Sequence, residues 1–164
     1  MSKIAYISLG SNLGDPVATL QSAFTELQSL SQEPIRQSSL WSSTPVDCPP
    51  DSPDFINAAV TMTPVDGEKP ETLLARLQAL EVQFGRQPKM VINEPRPLDL
   101  DLIAFGNEQR QGAYLTLPHP RFHERRFVLE PLAEIAPGTV LPGQLITISE
   151  LLARLETDET LVRL

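Results

Sequence analysis

The sequence predicts an α+β domain of the ferredoxin-like type, an antiparallel four-stranded sheet with both helices on one face. Two observations predict it. β-prone runs and amphipathic runs alternate in the order βαββαβ over residues 3–105. Each amphipathic run also begins at a proline, which is typical of the first residue of a helix. A length of 164 residues fits one domain, 1–164, with short strands, turns and a helix added after the core.

The first half of the core is predicted to contain two strands and one helix. Residues 3–9 are β-prone and end in a Gly-Ser-Asn-Leu-Gly turn. Asp15 followed by Pro16 is typical of an N-cap and a first helical residue, and apolar residues at helical spacing extend this helix to about Leu30. A second, serine-rich strand is expected over residues 35–41.

The second half repeats the strand and helix pattern between two proline-rich loops. Residues 42–54 contain too many prolines for a helix or a central strand, so they are predicted to form a long loop. A third strand follows over residues 55–62. The second helix begins at Pro70 and ends at Gly85. A later helix is expected over residues 148–155, capped by Thr147 or Ser149.

The fourth strand, residues 98–105, follows the second loop and carries two carboxylates. Strict alternation puts Asp99 and Asp101 on the face opposite the leucines, about 6.6 Å apart along the strand. Two carboxylates at this spacing suit Mg²⁺, which takes one or two of them and completes its shell with phosphates and water. A solvated polar face on an antiparallel strand is the alternative.

Charge and cysteine content limit the partners of the chain. The net charge of −8 argues against nucleic acid and anionic membranes. Residues 86–126 nevertheless hold seven basic groups against five acidic ones and both histidines, which suggests a small anionic ligand; chance clustering is the alternative. A single cysteine, Cys48, and the absence of a signal peptide or a long apolar stretch indicate a cytoplasmic protein. We expect a monomer.

Basic residues flank the carboxylate pair on both sides. Arg86 and Arg96 precede it in the loop, and His119 and Arg125 follow it. Metal-binding carboxylates beside cations are typical of phosphoryl transfer, where both offset the charge on phosphate oxygens. Each basic residue on its own could be structural. Neither a G-x-x-x-x-G-K-[ST] nor a G-x-G-x-x-G motif is present, so any nucleotide is bound in another way.

Five segments together resemble one family, the 6-hydroxymethyl-7,8-dihydropterin pyrophosphokinases. The matching segments, in family order, are residues 5–14, Thr44-Pro45, residues 55–60, the stretch Arg96-x-x-Asp99-Leu100-Asp101-Leu102-Ile103, and Pro118-His119-Pro120-Arg121 through Leu129. They cover about residues 4–136. The resemblance implies transfer of pyrophosphate from Mg-ATP to the hydroxymethyl group of a reduced pterin, with release of AMP, in folate biosynthesis.

The resemblance also implies roles for individual residues. Asp99 and Asp101 would bind two Mg²⁺ ions, and with Arg86 and Arg96 they would form the catalytic set. The ATP-binding residues would be Gln78, Glu81, Arg86, Arg96, His119 and Arg125. The pterin pocket would comprise Thr44, Pro45, Val46, Phe55, Asn57 and Phe127. Both long loops would close over the substrates. Phe55 and Asn57 share a strand face, which suits stacking on a pterin and pairing with its polar edge; an amide satisfied by its own surroundings is the alternative for Asn57.

The sequence departs from the family pattern just before Arg96. Ile92-Asn93-Glu94 stands where relatives usually have a basic residue, tryptophan and glycine, and Pro88 stands where an arginine is common. Two other functions stay open: a metal-dependent kinase or nucleotidyltransferase acting on another small substrate, and a ligand-binding domain without catalysis. The released nucleotide separates the enzymes, because only pyrophosphoryl transfer yields AMP.

Overall fold

The structure is a computed structural model that describes residues 3–44, 53–85 and 97–164. Its strands are β1 (Ala5–Ser11), β2 (Arg36–Gln37), β3 (Trp41–Ser43), β4 (Phe55–Met62), β5 (Asp99–Phe105), β6 (Arg110–Gln111), β7 (Thr116–Leu117) and β8 (Leu161–Arg163). Its helices are α1 (Pro16–Ser29), α2 (Pro70–Gln83), α3 (Arg126–Ile135) and α4 (Ile148–Arg154), with a 3₁₀ turn at Phe122–Glu124. No helix in these ranges is both long and apolar enough to cross a membrane.

The main sheet confirms the predicted ferredoxin-like fold. Its strands lie in the order β5-β1-β4-β3-β8, with β2 also paired to β4, and every described pairing is antiparallel. The strand β1 is therefore central and has β5 on one side and β4 on the other. β6 and β7 form a separate hairpin.

The predicted second strand is broken into β2 and β3, so the expectation of one continuous strand over residues 35–41 was wrong. The break lies at Ser38. Its backbone N–H donates to Ala59 O, but its side-chain Oγ, instead of a strand carbonyl, accepts from Ala59 N–H at 2.8 Å. A serine hydroxyl that competes for backbone partners in this way interrupts the regular ladder.

Helices α1 and α2 cover one face of the sheet, as predicted. Asp15 caps α1 by accepting from the N–H of Ala18 at 3.2 Å. Gly85 follows α2 with φ +99°, a conformation that a residue without Cβ adopts at little cost. The apolar stripes of both helices pack on alternate residues of β1, β4 and β5. This core comprises Leu20, Ala23, Phe24, Leu27, Leu73, Leu77, Leu80, Ile7, Leu9, Ala58, Val60, Met62, Leu100 and Leu102.

Helices α3 and α4 cover part of the opposite face. Sequence reasoning found α4, which begins at Ile148 after the cap Thr147, but it missed α3. Pro131 lies inside α3 and removes one backbone donor, which is untypical of a helix interior. Burial of apolar side chains compensates for the missing backbone hydrogen bond, since Val128, Leu129 and Leu132 pack on the sheet. The carboxylate of Glu134 also anchors α3 to the sheet by accepting from the N–H of Ser39 and from Trp41 Nε1.

Candidate functional site

The half of the second sheet face next to the cluster of α3 and α4 carries Asn57, Asp99 and Asp101. Gly10 on the central strand pairs with Asn57 of β4 on one side and with Asp99 of β5 on the other. In the next row, Ser8 lies between Ala59 and Asp101. The topology thus brings the predicted metal ligands and Asn57, one of the predicted pterin residues, to the same end of one sheet.

The carboxylate pair lies on the face that the sequence predicted. Leu98 and Leu100 are buried on the helical side, whereas Asp99 and Asp101 are only half-buried. The described residues contain no group of three or more His, Cys, Asp and Glu side chains that could enclose a metal ion. A cation at these two aspartates would therefore need further oxygen ligands from substrate or water, which is how Mg²⁺ usually binds in proteins.

Glu81 is buried on α2 and contacts the strand that carries the carboxylates. Its Oε2 accepts a hydrogen bond from the backbone N–H of Leu100 at 2.8 Å. Leu100 stands between Asp99 and Asp101, and β5 is an edge strand of the sheet. Glu81 therefore satisfies a free edge N–H and fixes the strand between the two aspartates. Gln78, one turn earlier on α2, is exposed.

His119 reaches the site because of a bulge in β5. The pairing of β1 with β5 shifts at Tyr6/Ile7 and leaves Ile103 as the extra residue. The carbonyl of Ile103 then accepts from the backbone N–H of His119 at 2.8 Å. The hydrogen bond fixes the start of the basic segment beside the carboxylate strand.

Burial and neighbouring charge keep His119 neutral. Burial lowers its pKa, the cations of Arg125 and Arg121 lower it further, and the opposing charge of Asp99 does not compensate, so that the pKa falls to about 4. Its Nδ1 accepts from the backbone N–H of Arg121 at 3.2 Å. A neutral ring whose Nδ1 accepts carries its proton on Nε2, so at neutral pH His119 is an uncharged donor.

Two of the predicted pterin residues, Phe55 and Asn57, lie on the other side of Gly10. Asn57 is 2% exposed, and its Nδ2 donates to Ser43 Oγ at 2.7 Å and to the Trp41 carbonyl at 3.3 Å. The amide nitrogen is thus satisfied by neighbouring protein groups, which was the alternative interpretation of Asn57. A Cβ added to Gly10 would lie 3.6 Å from Asn57 Oδ1. It would also lie 3.6 Å from Phe55 Cδ1.

Phe127 belongs to the first turn of α3. Its ring and that of Phe55 are half-buried, and the guanidinium carbon of Arg125 lies 5.6 Å from the Phe127 ring centroid. This distance is typical of a cation–π interaction, which holds the two side chains against each other. Thr44 is exposed at the end of the described range.

Several predicted residues lie outside the described residues: Pro45, Val46, Arg86 and Arg96, with both predicted loops and the departure at residues 92–94. Sequence reasoning assigned no role to Gly10, which joins the two halves of the site. The sequence predicted Gly10 as part of the turn after the first strand, but it lies inside β1. A glycine directly after a β-prone run was the available signal, since a strand glycine often marks a place where a ligand approaches the backbone.

The fold and the site define a class: a ferredoxin-like enzyme domain with a carboxylate pair beside basic side chains, the arrangement used for phosphoryl transfer. The particular family follows from comparison with known proteins. Residues 6–137 match the family model for 7,8-dihydro-6-hydroxymethylpterin-pyrophosphokinase. The chain belongs to this family, and the family and enzyme class expected from the sequence are confirmed.

Curated relatives and solved structures agree with this assignment. The chain is 41% identical over 152 residues to the 2-amino-4-hydroxy-6-hydroxymethyldihydropteridine pyrophosphokinase of Synechocystis sp., covering 93% of this chain and 76% of the relative. It is 42% identical over 146 residues to the enzyme of the same name from Haemophilus influenzae, covering 87% and 88%. The wild-type HPPK-DHPS of Plasmodium falciparum with pteroate has the same fold, with a TM-score of 0.72 at 12% identity. The match covers 94% of this chain and 44% of that longer one.

Proposed function

We propose that the chain performs the reaction of its family, transfer of pyrophosphate from ATP to the hydroxymethyl group of 6-hydroxymethyl-7,8-dihydropterin, on the polar half of the second sheet face. One observation carries the assignment of the site. Gly10 pairs with both Asp99 and Asn57, which sets the carboxylate strand and the amide strand on either side of β1. Two interstrand spacings amount to about 10 Å, which leaves room for a pterin beside a phosphate chain.

Asp99 and Asp101 are proposed to hold magnesium. Their half-buried carboxylates are hard oxygen donors on one strand face, and the Mg²⁺ shell has places for phosphate oxygens and water. We propose that two such ions bind here, where they would neutralise charge on the transferred group. Glu81 holds the strand between the two ligands in place through Leu100 N–H.

His119 and Arg125 are proposed to bind phosphate oxygens in different ways. Arg125 supplies a permanent cation, whereas His119, with its pKa of about 4, offers an Nε2–H donor without a charge. A neutral donor can approach the cations of Arg121 and Arg125 without repulsion. Arg86 and Arg96 remain proposed as catalytic and phosphate-binding residues, and Gln78 and Glu81 as nucleotide contacts.

The pterin is proposed to bind on the other side of Gly10. The rings of Phe55 and Phe127 are available for stacking. Asn57 Nδ2 is held by Ser43 and Trp41, which orients Oδ1 to accept from a donor on the pterin edge. Thr44, Pro45 and Val46 stay proposed as further pocket residues.

Composition supports the remaining proposals about partners and location. The net charge of −8 favours neither nucleic acid nor anionic membranes, and a single cysteine is typical of a reducing compartment. We therefore propose a cytoplasmic enzyme whose ligands are ATP and the pterin. We also propose that it works as a monomer.

The direct test is incubation with Mg-ATP and 6-hydroxymethyl-7,8-dihydropterin, with the nucleotide products separated by chromatography. AMP formed in equal amount to the pterin diphosphate is the expected result. ADP would identify a simple kinase, and free pyrophosphate a nucleotidyltransferase. Binding of both ligands without any nucleotide product would identify a non-catalytic domain.

A further inference from the structure

Two buried side chains at the end of the central strand contact the segments that lead into its two neighbours. Ser11 is 0% exposed, and its Oγ donates to the carbonyl of Pro97 at 2.5 Å. Asn12 is 1% exposed, and its Nδ2 donates to the carbonyl of Pro53 at 3.3 Å. Pro97 precedes β5 and Pro53 precedes β4.

The two bonds continue the sheet where its backbone ladder ends. The pairing of β1 stops at Gly10 opposite Asp99 on one side and at Ser11 opposite Ile56 on the other. Proline has no N–H to contribute to a ladder, so regular pairing cannot extend through residues 53 and 97. The side chains of Ser11, the last residue of β1, and Asn12, which follows it, donate to the carbonyls of the two prolines instead.

Each bond lies two residues before a residue of the proposed site. Pro97 is followed, two positions later, by Asp99, and Pro53 by Phe55. Only one residue separates each proline from the site residue, and two residues of chain span at most about 7 Å, so a shift at the proline is passed on to the site residue. Catalytic geometry is sensitive to displacements of about 1 Å.

We propose that Ser11 and Asn12 are positioning residues, each serving one substrate: Ser11 aligns the carboxylate strand for the metal and ATP, and Asn12 aligns the aromatic strand for the pterin. The inference rests on the proposed function of this site. It predicts that adjacent residues, buried alike, have separable effects on the two substrates. A merely structural role would disturb both substrates together.

The test compares Ser11→Ala and Asn12→Asp in the full chain. Ser11→Ala removes the hydroxyl, and Asn12→Asp keeps the shape but replaces the N–H donor by an acceptor that the Pro53 carbonyl repels. Ser11→Thr restores a hydroxyl and is the rescue variant. Matched controls are Ser22→Ala and Asn107→Asp, since both residues are exposed and distant in sequence from the contacts described.

Steady-state constants and pterin affinity form the readout. Ser11→Ala should raise two quantities by roughly fivefold, the KM for Mg-ATP and the Mg²⁺ concentration that gives half the maximal rate. A fivefold change corresponds to the free energy typical of one hydrogen bond. The Kd for the pterin should stay within twofold of wild type. Asn12→Asp should weaken pterin binding by at least that factor and leave the KM for Mg-ATP within twofold. Ser11→Thr and both controls should stay within twofold of wild type.

The outcomes separate this inference from the proposed function. Equal effects of both variants on both substrates, or no effect of either, overturn the positioning roles while wild type still forms AMP. Failure of wild type to form AMP overturns the proposed function instead. If Ser11→Ala or Asn12→Asp does not unfold cooperatively, Ser11→Cys and Asn12→Ser replace them, and the same split between substrates is required.

Discussion

Replacement of Gly10 by alanine separates the stability of the sheet from occupancy of the site. Gly10 stands between the carboxylate strand and the amide strand, and its backbone is paired on both sides. The added methyl would lie 3.6 Å from Asn57 Oδ1 and 3.6 Å from Phe55 Cδ1, which is ordinary van der Waals contact. The folded chain therefore has room for it, but the methyl occupies the surface against which the pterin is proposed to lie.

The substitution should increase the stability of the protein and decrease its affinity for the pterin. Alanine restricts the unfolded chain more than glycine does, so Gly10→Ala should stabilise the protein by about 0.4–1 kcal/mol. If the methyl keeps a pterin donor from reaching Asn57 Oδ1, one buried hydrogen bond is lost, which costs about 1–3 kcal/mol. Pterin affinity should then fall by roughly five- to 150-fold, since 1.4 kcal/mol is a factor of ten.

Denaturant unfolding and calorimetric titration with pterin, in the presence of a non-hydrolysable ATP analogue, measure both quantities on one preparation. Gly138→Ala is the matched control, because no atom lies within 4 Å of its added Cβ. It should change neither pterin affinity nor the affinity for the analogue. Unchanged pterin binding by Gly10→Ala would refute the placement of the pterin over this strand, and a loss of stability would refute the packing argument.

Three further predictions concern the groups on either side of Gly10. Asp99→Asn and Asp101→Asn should each nearly abolish AMP formation and leave the unfolding midpoint almost unchanged, because each removes a metal-ligand charge from a half-buried position; initial rates and melts on the same samples check this. His119 has a folded pKa of about 4, below its ordinary value of 6.5, so the unfolded chain binds more protons between these values. Stability should therefore fall as the pH drops from 6.5 to 4, and His119→Gln should flatten this slope in denaturant titrations. Asn57→Ala should weaken pterin binding. It should also lower the free energy of unfolding by about 1–3 kcal/mol, because Ser43 Oγ loses its buried hydrogen-bond donor. A loss of pterin binding without a loss of stability would contradict the hydrogen bond between Asn57 and Ser43.

Local signals in the sequence were sufficient for the core and for the carboxylates. Proline at the first residue of α1 and α2, with apolar residues at helical spacing, gave both helices almost to their observed ends. Alternation placed Asp99 and Asp101 on one face, because the period of a strand leaves no other arrangement when the leucines are buried. The βαββαβ order then determined which strands are neighbours.

Features that depend on distant partners could not be predicted in this way. The sequence around Ser38 reads as a strand, and only the partner Ala59 shows where the ladder breaks. Glu81 remains a predicted nucleotide contact, but its hydrogen bond with Leu100 N–H could not be predicted, because this contact requires α2 to be packed against the edge of β5. The neutral state of His119 likewise depends on burial and on charges that converge only in the folded chain.

The division of the second sheet face accounts for the location of the site. Along β5 the residues on this face change from Asp99 and Asp101 to Ile103, and along β4 from Asn57 to Ala59. Helix α3 packs on the apolar half. Its N-cap, Arg125, and its first-turn residue Phe127 belong to the predicted phosphate and pterin contacts. One helix thus completes the core and carries residues for both proposed ligands, so the boundary of the core on this face is also the boundary of the site.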